Sequence, residues 1–83
     1  MKQTLTLKSG NIIELEGDEL TIISNMINYK FKILNNLNEL QVFLKTCKIL
    51  SDKKIDLLIK VKTNIIFIEL KGYQMLECYI QEI

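Results

Sequence analysis

The chain has 83 residues, which is room for one domain spanning 1–83. It contains no histidine and no proline, and lysine supplies all eleven of its positive charges against ten acids. Missing histidine removes the usual general base near neutral pH and the commonest metal ligand, and a near-neutral chain without arginine is a poor match to a dedicated nucleic-acid binder.

The first third reads as a β-meander. Leu5 and Leu7 alternate with polar residues, and residues 9–11 (Ser-Gly-Asn) signal a turn. Ile13 and Leu15 alternate with Glu14 and Glu16, Gly17 and Asp18 suit a two-residue hairpin, and Leu20 and Ile22 follow in alternation. A two-residue turn at Gly17 and Asp18 pairs Leu15 with Leu20 and Ile13 with Ile22. A three-residue loop at 9–11 pairs Leu7 with Ile13 and Leu5 with Leu15. All six apolar side chains then share one face. Ile12 and Ile23 fall on the other face as a cross-strand pair and make a candidate contact patch. A looser loop over 25–28 leads to a fourth strand with Tyr29, Phe31 and Ile33 inward. This register sets Tyr29 and Phe31 in the core rather than beside Lys30 and Lys32 as a base-stacking platform.

A helix follows. Asn36 is a favourable N-cap, with Glu39 three residues on as in a capping box. Leu37, Leu40, Leu44 and Cys47 keep helical spacing, with Phe43 and Leu50 widening the stripe. Residues 51–54 read as a break. Strands over 55–62 and 65–71 are joined by Thr63 and Asn64, with Leu57, Ile59, Val61, Ile66, Ile68 and Leu70 on the inward face. In the last segment, 73–83, Met75, Leu76, Tyr79, Ile80 and Ile83 make a helical stripe, while Leu76, Cys78 and Ile80 would share one face of a strand. The helix is the preferred reading. The expected architecture is α+β, ββββ-α-ββ-α, with two helices on one face of a largely antiparallel sheet.

Two cysteines far apart, outside any C-x-x-C pair, argue against a zinc site and for free, packed thiols in a reducing cytoplasm. The N-terminal pattern does not resemble a signal peptide, and no apolar run approaches the roughly 20 residues of a membrane helix.

Three features bear on function. First, Asp56 opens one strand, and Glu69-Leu70-Lys71 closes the next. Together with a helix after that strand, this resembles the PD-(D/E)XK nuclease superfamily over about residues 54–83. The resemblance implies Asp56 and Glu69 as ligands of Mg²⁺ and Lys71 as the group that activates water or stabilises charge. A turn at Thr63 and Asn64 sets Asp56 opposite Lys71 and Leu58 opposite Glu69, all on one face. The chain departs from the family at Ile55, where proline is usual, and in the strands before and after this unit. The same residues also make an ordinary solvated face.

Second, Glu14, Glu16, Asp18 and Glu19 crowd one turn, and residues 9–29 hold no base. They form a candidate contact for a protein with a basic surface, or a turn kept soluble and protected from edge pairing. Third, residues 30–62 hold eight lysines and three acids, a balance of +5, which could contact phosphates.

Size and composition resemble small accessory proteins of phages and other mobile elements, some of which inhibit a larger nucleic-acid-handling protein. The expectation is a cofactor-free protein-binding module rather than an enzyme, able to self-associate. A Mg²⁺-dependent nuclease and a non-specific nucleic-acid binder are the alternatives.

Overall fold

A computed structural model describes residues 1–50 and 56–83. Among the described residues seven strands form one antiparallel sheet, with one helix packed on its inner face. The strands are β1 (Lys2–Thr6), β2 (Ile12–Glu16), β3 (Glu19–Ser24), β4 (Ile27–Ile33), β5 (Leu57–Val61), β6 (Ile65–Leu70) and β7 (Gln74–Glu82), and the helix is α1 (Leu37–Leu50). Their order across the sheet is β1-β2-β3-β4-β7-β6-β5.

The meander forms as alternation requires. Leu15 pairs with Leu20 and Ile13 with Ile22 around Gly17, whose φ of 61° fits the tight turn. The first hairpin differs from expectation by two residues. Leu5 pairs with Ile13 and Gln3 with Leu15, because the Leu7 N–H bonds the Asn11 carbonyl and closes the loop one residue pair earlier. A two-residue shift keeps every side chain on its face, so Leu5, Leu7, Ile13 and Leu15 all remain buried. The loop between β3 and β4 is tighter than its sequence suggests. Asn25 and Met26 both take positive φ, 51° and 66°, so β4 begins at Ile27.

The largest correction concerns the C-terminus. The expected second helix is β7, placed between β4 and β6 at the centre of the sheet. Ile33 pairs with Ile80 on one side, and Ile66 with Cys78 on the other. Leu76, Cys78 and Ile80 therefore face the core. A helix would leave β4 and β6 without the ladder partner that β7 supplies.

Helix α1 buries Leu40, Phe43, Leu44 and Cys47 against the inner face, touching β7 and β1, and Leu50 is exposed. Asn36 occupies the capping position, since its carbonyl accepts the Leu40 N–H. Its side chain does other work: Nδ2 donates to the Glu77 carbonyl at 2.9 Å, while the Tyr79 N–H donates to Asn35 Oδ1 at 2.6 Å. Both asparagines pin the start of α1 to β7. No helix among the described residues is long and apolar enough to cross a membrane. The expected break at 51–54 and the strand start at Ile55 lie outside the described residues.

Candidate functional site

The acidic turn takes shape from the β2–β3 register. Glu16 stands opposite Glu19, as the sequence implies. The neighbouring strands complete the row: Lys2 flanks Glu16 and Lys32 flanks Glu19. On the same outer face the Glu14 carboxylate lies 3.5 Å from the Lys2 ammonium, and Glu19 lies 3.7 Å from Lys30. Two of the four acids are thus ion-paired within the chain, and Glu16 and Asp18 are exposed at the tip. Of the lysines counted by sequence among a phosphate-binding set, Lys30 pairs here with Glu19, and Lys32 stands opposite Glu19 in the row. Lys53 and Lys54 of the same set lie outside the described residues.

The β5–β6 hairpin has the register read from its turn. Leu58 pairs with Glu69, and the Lys62 N–H bonds the Ile65 carbonyl at 2.8 Å. Asp56 precedes the strand and is exposed. Glu69 sits mid-strand between Leu58 and Met75, and Lys71 lies in the turn after β6. Among the described residues no three His, Cys, Asp or Glu side chains are placed to share a metal ion. The helix that the nuclease resemblance included after the second strand is β7.

Cys47 and Cys78 are both buried and unpaired. Burial, with a smaller contribution from the Glu39 carboxylate, pushes the Cys78 thiol up to about 11, and burial raises Cys47 as well. Neither is poised as a nucleophile, which requires the thiolate.

Two surfaces stand out on β5, β6 and β7. The first is the edge. β5 ends the sheet, and no described strand pairs with its far side. Antiparallel pairing alternates, so the Lys62 bond to β6 fixes the rest. Leu58, Lys60 and Lys62 direct their backbone groups to β6, and Leu57, Ile59 and Val61 direct theirs outward. The side chains of Leu57, Ile59 and Val61 face inward onto a largely apolar cleft of about 570 Å³. Its far wall comprises Leu7, Ile22, Tyr29 and Phe31. Strands from opposite parts of the sheet order line one cleft, so the sheet is strongly curled. Phe31 is buried, but Tyr29 is 47% exposed although it points inward. Helix α1 covers the other part of the concavity and leaves this part open.

The second surface is the outer face of the same three strands. The paired rows are Leu58–Glu69–Met75, Lys60–Phe67–Glu77 and Lys62–Ile65–Tyr79. Leu58, Met75 and Tyr79 are each more than half exposed, and the Lys62 ammonium lies 5.9 Å from the centre of the Phe67 ring. The sequence pointed instead to Ile12 and Ile23 as the outward apolar pair. They do pair across the strands, but each is only partly exposed. Comparison with protein-family models, with curated proteins and with solved structures finds no match.

Proposed function

We propose that this protein is a protein-binding module that takes an extended segment of its partner onto the open edge of β5. One observation carries the reading: outward-pointing backbone groups of Leu57, Ile59 and Val61 stand beside an apolar cleft of about 570 Å³. That volume falls in the range of about 300–1,000 Å³ typical of ligand sites. Strand addition draws affinity from main-chain hydrogen bonds and specificity from pockets that take alternate side chains. The chemistry of the guest follows from the two faces of β5. Its inward residues would be apolar, to fill the cleft. Its outward residues would be acidic, opposite Lys60 and Lys62. A module seated this way would inhibit a partner that needs the captured segment elsewhere.

The test uses a labelled eight-residue peptide alternating glutamate with valine, followed by fluorescence anisotropy. The expected result is saturable binding that weakens with added salt. A peptide with lysine in place of glutamate is expected to bind at least about tenfold more weakly. Ile59→Pro removes an N–H that points away from β6, a position where an edge strand tolerates proline. It should abolish binding while leaving the far-ultraviolet circular dichroism unchanged. Equal binding by Ile59→Pro and wild type, or no binding by wild type, overturns the reading.

A further inference from the structure

The outer face of β5, β6 and β7 has a charge order that selects its own cover. Phe67 is its centre, with Lys60 beside it on β5 and Glu77 beside it on β7. Leu58 and Met75 occupy the ends of one neighbouring row, and Lys62 and Tyr79 the ends of the other. A partner that matches the central row must carry an acid, an apolar residue and a base in the reverse order. The same face, turned over, provides them.

We infer that this face is the contact between two copies of the chain, packed sheet to sheet about a two-fold axis that runs along the strands through Phe67. This goes beyond strand capture at the β5 edge, which rests on the outward backbone groups of β5 and the cleft on the inner face and shares only Lys60 and Lys62 with this face. About this axis β5 of one copy lies over β7 of the other, and β6 lies over β6. Lys60 meets Glu77 of the second copy, and Leu58 meets Met75 of the second copy. Lys62 meets the Tyr79 ring of the second copy, a contact of cation with aromatic face. Phe67 and Ile65 each meet their own counterparts. Glu69 alone meets a like charge, in an outer row of the patch.

The alternative two-fold, running across the strands, sets Lys60 on Lys60 and Glu77 on Glu77. Like charges in the central row therefore exclude it. Face-packed sheets cross at about 30°, which displaces the corners of a patch and leaves its centre nearly in place. The selection rests on the central row for that reason. Three strands and three rows span roughly 15 Å by 20 Å, about 600 Å² over both copies, which is below the range of stable interfaces and fits a weak, transient pair. Dissociation in the micromolar range is expected. The pair leaves the backbone edge of β5 and the cleft of each copy uncovered but engages Lys60 and Lys62, so an acidic guest segment and the second copy compete for these two lysines.

Sedimentation equilibrium tests this from about 1 µM to about 500 µM. Wild type is expected to pass from monomer to dimer in that range. Lys60→Glu and Glu77→Lys each set like charges together twice and should weaken the dimer at least about tenfold. Mixed in equal amounts, the two variants should recover wild-type affinity to within about threefold, since every central contact in the mixed dimer again joins opposite charges. A misfolded variant would not be rescued by mixing. Phe67→Glu should be monomeric throughout, with unchanged circular dichroism. A wild type that stays monomeric, single variants that dimerise as it does, or a mixture that is not rescued would each overturn the inference.

Discussion

The first four strands and the last three are built on the same alternation, and they finish their outer faces in opposite ways. Across β1–β4 the outer rows are Lys2–Glu16–Glu19–Lys32, Thr4–Glu14–Thr21–Lys30 and Thr6–Ile12–Ile23–Asn28. Acids and lysines there answer each other within the chain. Across β5–β7 the outer residues are mostly apolar, the charges stand apart, and no described strand pairs with the far edge of β5. One half of the sheet is completed by its own residues. The other half carries features that a second molecule would complete. Both proposed contacts therefore centre on the C-terminal half, although the densest charge cluster in the sequence lies in the N-terminal half.

The two halves meet at β4 and β7, and the sharpest way to break the comparison is to cut there. Ile80 is buried at the join, opposite Ile33. Ile80→Ala should cost about 2–4 kcal/mol, the usual range for deleting a buried isoleucine side chain. Because the halves share one core cluster, urea unfolding followed by tyrosine fluorescence and by circular dichroism should shift together. Separate transitions would show that the halves are independent folding units.

The next effect tests how well the shared interior excludes water. Cys47 lies on α1 and Cys78 on β7, both with raised thiol pKa values, Cys78 to about 11. The unfolded chain releases these protons from about pH 8.5, while the folded chain retains them. Stability is then unaffected by the thiols below that pH and falls as pH rises toward 11. The thiol-dependent loss should be on the order of 1–3 kcal/mol. It is read as the difference in urea midpoint between pH 8 and pH 10.5 for wild type against Cys47→Ala combined with Cys78→Ala. Identical pH slopes would mean that the thiols are solvated.

The sequence disclosed most of the self-completed half and least of the unfinished half, for a physical reason. Alternation is visible where one face is apolar and the other polar, as at Ile13-Glu14-Leu15-Glu16. In β7 the inward Leu76, Cys78 and Ile80 are interleaved with outward Met75 and Tyr79. Apolar residues on both faces erase the period of two, and the remaining spacing mimics a helix. The apolar outer face therefore obscured the strand that carries part of it. The cleft was hidden differently. Leu57, Ile59, Val61 and Tyr29 were legible as inward residues, but alternation does not say whether an inner face is covered, and α1 stops short of these.

A smaller effect concerns the turn from β3 to β4. Met26 holds a φ of 66° with its side chain fully exposed. Two-residue hairpins with both central residues at positive φ favour Asn followed by Gly. Met26→Gly should add about 0.5–1 kcal/mol to stability, seen as a higher urea midpoint. An unchanged midpoint would indicate that Met26 makes compensating contacts in the folded protein.

The smallest expected effect decides whether the acidic turn has a role of its own. Glu16 and Glu19 oppose each other directly, and the neighbouring lysines pair with other acids, Lys2 with Glu14 and Lys30 with Glu19. Glu16→Gln should therefore raise stability by about 0.2–0.5 kcal/mol, a gain that shrinks in salt as screening removes the repulsion. If the turn only completes the meander, this variant and Asp18→Asn should bind the glutamate–valine peptide as wild type does. If Glu16 and Asp18 meet a basic protein, the same variants should recover less of that protein in a pull-down while folding at least as stably. A loss of binding together with a gain in stability would mark a contact surface at the turn. Unchanged recovery would leave β5, β6 and β7 as the half of the molecule that meets others.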